Sequence, residues 1–346
     1  MIWRRAIRGT AAMLAMPALL AMLQLATGLA EAGEVSPAPP VVRQSLDDAW
    51  WTGPMLANTA ATAAPGHFLI EPYFYDVIEA GRFDGAGARR SAARANGFGT
   101  LTYVVYGLAD RLSVGLIPAA GFNTLSGGPS SAGPGLTDTS LLAQYGLTRF
   151  HPGSWMPATA VNVQETFPTG RYDRLGGRPS DGFGSGAYTT QLSFYSQTYL
   201  WLPNGRILRM RLNLSQAFSS NVHVEDASVY GTAAGFRGSG RPGSSFTVDA
   251  AWEYSLTRSW VLASDVFYRR GANTRVTGTN LLDANGAQPA PGIRLDSGSS
   301  DTFGVAPAIE YNWRPDLGVL LGARVVAAGR NTAATISPAL AINYVR

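Results

Sequence analysis

Arg209 and Arg211, with a single residue between them, stand out in a chain of 346 residues that has no cysteine and only three histidines. A guanidinium supplies fixed positive charge and a planar fork of donors suited to carboxylates. Acids able to answer these arginines follow downstream: Asp249, Glu253, Asp265 and Glu310, with two further arginines, Arg269 and Arg324. Gln197 and Tyr199 lie just upstream. Such a set suits two kinds of chemistry. One is a salt-bridge network that fills a narrow interior. The other is a polar path that steers polar or anionic groups. Catalytic sets are harder to assemble. Without cysteine there is no thiol nucleophile, disulfide framework or thiolate metal site. His67, His151 and His223 fall at a strand start, a tight turn and a long loop. That spacing is expected to keep them apart, which argues against a three-histidine metal site or a Ser–His pair. The glycine-rich run Gly182–Gly186 precedes no helix, so it reads as a loop and not as a phosphate cradle. No metal or cofactor is implied.

The elements that position these residues are read from a rhythm. Phe246, Val248, Ala250, Trp252, Tyr254 and Leu256 alternate with Thr247, Asp249, Ala251, Glu253 and Ser255. Successive side chains of a strand point to opposite faces, so one face is apolar and the other mostly polar. A strand of roughly 9–11 residues crosses a bilayer when tilted. The pattern predicts an all-β, antiparallel, up-and-down transmembrane β-barrel of about twelve strands. The expected strands are 67–75, 97–108, 111–122, 137–148, 157–167, 187–202, 206–218, 245–256, 260–270, 301–313, 317–328 and 334–345. Tight connections alternate with long ones at 76–96, 123–136, 168–186, 219–244 and 271–300, while 329–333 breaks the trend by being short. Turns in the periplasm and loops outside are the arrangement of outer-membrane barrels, and an even strand count puts both barrel ends on the turn side. The near-zero mean hydropathy fits, because a barrel hides its apolar band on every second residue.

Parity then assigns the faces. Leu208, Met210, Leu212 and Leu214 face lipid, so Arg209, Arg211, Asn213 and Ser215 face the lumen. The turn at 203–205 should pair Tyr199 with Arg209 and Gln197 with Arg211. Asp249, Glu253, Asp265, Arg269, Glu310, Asn312, Arg324, Glu71 and Tyr73 also point inward. A charge on the lipid face at mid-membrane costs roughly 2–4 kcal/mol, so parity is a strong guide. If loop 219–244 folds back symmetrically, Arg211 lies opposite Glu253 and Ser215 opposite Asp249. Aromatic residues should form two belts at the interfaces. Tyr106, Tyr145, Trp201, Trp260, Trp313 and Tyr344 belong to the turn side, and Phe74, Phe98, Tyr188, Phe246, Phe267 and Phe303 to the loop side.

Residues 1–32 read as a secretory signal peptide: Arg4, Arg5 and Arg8, then an apolar run broken by Pro17, then the small residues of Ala30-Glu31-Ala32. Residues 33–66, rich in Pro and Ala, read as a periplasmic lead-in, with a short plug inside the barrel as the alternative. Residues 67–346 form the barrel. The basic residues are all arginine, and without residues 1–32 the 24 arginines against 22 acids leave a net charge of +2, too balanced to imply a nucleic-acid partner.

The segment Gly107-Leu-Ala-Asp-Arg-Leu-Ser-Val-Gly-Leu-Ile-Pro118 resembles the first hairpin of the outer-membrane transporter family named after the meta-pathway of phenol degradation. Phe167-Pro-Thr-Gly-Arg-Tyr172 is similar to its strand-to-loop motif, and Gly184-Ser-Gly186 to the glycines that open the next strand. Trp51-Thr-Gly-Pro54 and Pro65–Tyr73 are similar to segments ahead of the barrel in some members. The resemblance touches about residues 50–200. It implies an outer-membrane transporter for hydrophobic or aromatic compounds and brings no catalytic residues with it.

The reading is therefore a passive outer-membrane channel for small organic molecules, with Arg209, Arg211, Tyr199, Gln197, Asp249, Glu253, Asp265, Arg269, Glu310 and Arg324 lining the path. Its expected partners are outer-membrane lipids, small-molecule solutes and the barrel assembly machinery. Two alternatives are an outer-membrane enzyme acting on lipids and a structural or adhesion barrel with a closed lumen.

Overall fold

The computed structural model describes residues 42–92, 94–280 and 292–346. The signal-peptide expectation and residues 33–41 of the lead-in lie outside them.

The alternating segments form twelve antiparallel barrel strands. They are β1 (Phe68–Phe83), β2 (Ala95–Ala109), β3 (Leu112–Ile117, resuming as Ala119–Leu125), β4 (Thr139–Thr148), β5 (Ala158–Phe167), β6 (Thr189–Trp201), β7 (Ile207–Ser219), β8 (Ser245–Ser255), β9 (Trp260–Gly271), β10 (Ser300–Arg314), β11 (Leu317–Arg330) and β12 (Thr332–Val345). Each strand pairs with the next, and β1 pairs with both β2 and β12, so the sheet closes on itself. Closure satisfies the backbone groups that an open edge would leave bare in lipid. The only helical elements among the described residues are two three-residue 3₁₀ turns, Leu46–Asp48 and Pro179–Asp181.

Pro118 lacks an N–H and interrupts β3. The first half of β3 pairs with β4, whereas its second half pairs with the short stretch Gly135–Leu136. Bulges at Gly107/Ala109, Gly146/Thr148 and Asn312/Arg314 lie beside tight turns, at the rim where the ladder ends.

The faces sort as parity requires. Met210, Leu212, Leu262, Ile309 and Leu321 are exposed on the outer wall, while Arg209, Arg211, Asp265 and Glu310 are buried inside. Phe74, Phe98, Tyr188, Phe246 and Phe303 are exposed near the long-loop end, as a girdle should be. Phe267 departs from the expectation. It is 3% exposed and packs inside the barrel with Phe83, Val326 and Ala334.

The long loops are structured. Val222–Glu225, Phe236–Arg241, Arg275–Asn280 and Ile293–Asp296 form a separate four-stranded antiparallel sheet. Val222, Val224, Phe236 and Val276 make its small core, with Tyr172, Tyr230 and Ile293 packed against it. Loop 219–244 thus does not fold back symmetrically. Arg209, not Arg211, lies opposite Glu253, and Asn213, not Ser215, opposite Asp249.

The largest departure concerns residues 43–66, which do not stay outside as a periplasmic lead-in. They run through the lumen and bond to its wall. Their many small residues and two prolines, Pro54 and Pro65, fit an extended chain, and their backbone groups find partners on lumen side chains.

Candidate functional site

The site is the lumen and the segment that crosses it. The segment starts at the tight-turn end, where the Gln44 amide donates to the Ser255 hydroxyl at 2.8 Å and Trp201 Nε1 donates to the Gln44 carbonyl at 2.8 Å. It climbs along β10 and β9. The Thr52 N–H donates to Glu310 Oε2 at 2.7 Å, and the Thr52 hydroxyl to Asn312 Oδ1 at 3.0 Å. At the apex the N–H groups of Met55, Leu56 and Ala57 all donate to the Asp265 carboxylate, at 3.1, 3.3 and 2.9 Å. Asp265 is centrally placed in β9, so the apex reaches the middle of the barrel.

From the apex the segment crosses to the opposite wall and descends. Arg211 donates to the Ala57 carbonyl at 2.7 Å, and Asn213 to the Asn58 carbonyl at 3.2 Å. The Thr59 hydroxyl donates to Gln197 Oε1 at 3.0 Å, and Gln144 donates to the carbonyls of Thr59 and Ala61. The Ala63 N–H donates to the Ser113 hydroxyl at 2.9 Å, just before β1 begins. Gly322 leaves room for this path: a Cβ there would press on Met55 Sδ at 2.7 Å.

The charged residues named from the sequence divide into groups. Arg209 and Glu253 form a two-bond guanidinium–carboxylate pair, and Arg211 Nε approaches Glu253 Oε2 at 3.2 Å. Trp51 covers Arg209, whose guanidinium carbon sits 4.5 Å from the ring centroid, and Tyr199 meets Trp51 edge-on. Tyr199 and Gln197 pair with Arg209 and Arg211 across β6 and β7, as the turn length predicts. Glu253, Asp265 and Glu310 are fully buried, and each accepts from an arginine or from the segment's backbone. A buried charge is tolerable only with such partners. These residues therefore hold the segment and one another in place.

Asp249, Arg269 and Arg324 stand apart from that network. Arg269 is exposed near the loop end, with one weak bond to Ser245 at 3.3 Å. Asp249 is buried, and its Oδ1 has no partner among the described residues. Arg324 makes no hydrogen bond or ion pair among the described residues, and its guanidinium lies 4.4 Å over the Phe267 ring. The histidines are scattered: His67 lies against the Pro65 carbonyl, and His223 sits beside Glu225 in the outer sheet.

Two cavities of about 300 Å³ each flank the segment. The one nearer the tight turns is the more polar of the two, with Glu71, Asn162, Arg211 and Asn343 in its wall. The one toward the long loops is lined by Tyr73, Tyr75, Leu101 and Tyr103 with Arg324 and Ser337, and the apex residues Met55 and Leu56 form its floor.

At least one solved structure shares this fold, and others are more distantly similar. An outer membrane channel from Pseudomonas putida F1 superposes with a TM-score of 0.62 at 15% identity, covering 84% of this chain and 100% of its own. The translocator domain of the autotransporter NalP from Neisseria meningitidis gives 0.41 at 12% identity, covering 82% and 89%. The Ralstonia pickettii toluene transporter TbuX gives 0.38 at 10% identity, covering 82% and 90%. No family model matches the chain, and no curated protein matches it.

The wall residues were legible in the sequence, and of the two readings of residues 33–66 the plug inside the barrel, not the periplasmic lead-in, matches residues 43–66. Trp51, Tyr75, Leu101, Phe267 and Ser337 all contribute to the lumen. A usable signal was present for Phe267. It pairs across strands with Gly304, where any side chain would collide with its ring. An aromatic opposite a glycine on an inward-facing row is a packed pair, not a lipid girdle.

Proposed function

We propose that the protein is an outer-membrane channel for small organic molecules, aromatic or hydrophobic, with the tight turns in the periplasm and the segment 43–66 restricting the lumen. The observation that carries this reading is the division of the lumen into two cavities by a segment held through side-chain contacts and short of filling the barrel. A structural filling would leave no cavity with aromatic walls and an unpaired cation. The motif Gly107–Pro118, which forms the β2–β3 hairpin, supports membership of the meta-pathway transporter family. The fold shared with the P. putida channel is compatible with the same role.

The test is uptake of N-phenyl-1-naphthylamine by intact cells whose outer leaflet is lipopolysaccharide, with and without the protein. Faster uptake with the protein is expected. Uptake unchanged at equal surface abundance contradicts the channel.

A second reading is a structural or adhesion barrel. It draws on the four-stranded outer sheet and on the segment inside the lumen. That reading expects no solute passage with or without the segment.

A further inference from the structure

Of the lumen arginines named above, Arg209 and Arg211 are spent on Glu253, and Arg211 also on the Ala57 carbonyl. Arg324 is not spent on anything. Its position is nevertheless fixed. The Phe267 ring rests on Gly304, and the Arg324 guanidinium rests on the ring at 4.4 Å. Phe267 in turn packs against Phe83, Val326 and Leu56. Packing, not an ion pair, therefore holds a cation at the wall of an aromatic cavity. Next to it on β12, Ser337 pairs with Arg324 across the strands. The Ser337 hydroxyl is buried and has no partner among the described residues. The cavity's other walls are Tyr73, Tyr75, Tyr103, Leu101 and Val77. Gly99, opposite Tyr75, leaves the space the Tyr75 ring occupies.

We infer that this cavity is a binding site for a small aromatic carboxylate, with the carboxylate on Arg324 and Ser337 and the ring among Tyr73, Tyr75 and Tyr103. The inference rests on the channel reading for its place on a path but not for the binding itself. A planar guanidinium meets a planar carboxylate through two parallel bonds. A free hydroxyl adds a third donor. A single arginine in largely apolar surroundings matches a monoanion, because a dianionic phosphate would carry a second charge with no partner. The tyrosine walls favour an aromatic ring, through edge-to-face contacts, over an alkyl chain. A volume of about 300 Å³ is at the small end of ligand sites and suits a single-ring molecule. Asp249 lies outside the cavity wall. It is a buried acid on the neighbouring wall, beyond ion-pair distance from Arg324.

The experiment is calorimetric titration of the full chain in detergent micelles with 3-phenylpropionate, 3-phenylpropan-1-ol and hexanoate. The acid is expected to bind at least tenfold more tightly than the alcohol, and hexanoate more weakly than the aromatic acid. Arg324→Gln should abolish the preference for acid over alcohol, with heat-dependent gel mobility like that of the wild type showing that the variant is folded. Acid and alcohol binding alike in the wild type, or a preference that survives Arg324→Gln, overturns the site. Hexanoate binding as tightly as 3-phenylpropionate overturns the aromatic assignment. Arg324-dependent binding without solute passage in cells would defeat the channel reading and leave the site standing. Passage without Arg324-dependent binding would defeat the site alone.

Discussion

Arg209 and Glu253 face each other directly across β7 and β8, both buried, with Trp51 laid over the guanidinium. Trp51, part of the segment that crosses the lumen, therefore also covers a buried ion pair in its wall. Removing Glu253 leaves Arg209 without its carboxylate in a closed site, at a cost of about 3–5 kcal/mol, whereas removing Arg209 leaves Glu253 with Arg211 alone. A double-mutant cycle with Arg209→Met and Glu253→Met, read by urea unfolding in lipid vesicles, should show coupling well above the roughly 0.2–1 kcal/mol of exposed pairs. Additive effects would contradict the pair.

The lipid and lumen faces of β7 make a second prediction. Leu212 is 42% exposed on the outer wall, whereas Ser215 points inward and shares a hydrogen bond with Ser193 at 2.8 Å. Leu212→Arg should destabilise the barrel by roughly 2–4 kcal/mol. Ser215→Arg should cost less, because it opens to the lumen. The check is the folded fraction on unheated gels after insertion into vesicles, and equal losses would reverse the assignment.

How much of this was legible follows from which forces leave a trace in one strand. Twelve strands and the inward rows of Arg209, Glu253, Asp265, Glu310 and Arg324 could be read because a charge in lipid is costly, so alternation is enforced residue by residue. The pairing of Tyr199 with Arg209 could be read because a three-residue turn fixes register. The pairing of Arg209 with Glu253 could not, because loop 219–244 spends its residues on a sheet shared with 275–280. The path of residues 43–66 could not be read either. It is held by backbone N–H groups on Asp265 and Glu310, and backbone donors leave no pattern in side-chain type.

The outer sheet should be sensitive to acid. Glu225 takes hydrogen bonds from Arg174 and Arg237 and has His223 beside it, and the Arg174 bond is the main cause holding its carboxyl below the usual glutamate range. A depressed folded-state value means the stabilisation is fully present above the unfolded value, near pH 4.3, and is lost as pH falls through the folded value. Asp296 is lowered in the same way, chiefly by Asn273 and then by Arg294 and Arg275. Amide exchange protection over 222–225 and 275–280 should hold from pH 7 to about 5 and fall below about 4, while the barrel strands keep theirs. Glu225→Gln should lower protection at pH 7 and flatten the dependence. Protection that rises on acidification would contradict the role of Glu225.

The central claim is that the lumen is a path and that residues 43–66 restrict it. Single-channel conductance in planar bilayers tests it most directly, comparing the full chain with a variant lacking residues 45–62, both first shown to be folded by heat-dependent gel mobility. The account predicts small currents for the full chain and conductance several-fold higher for the variant. Equal conductance in the two, or no current in either, would contradict it.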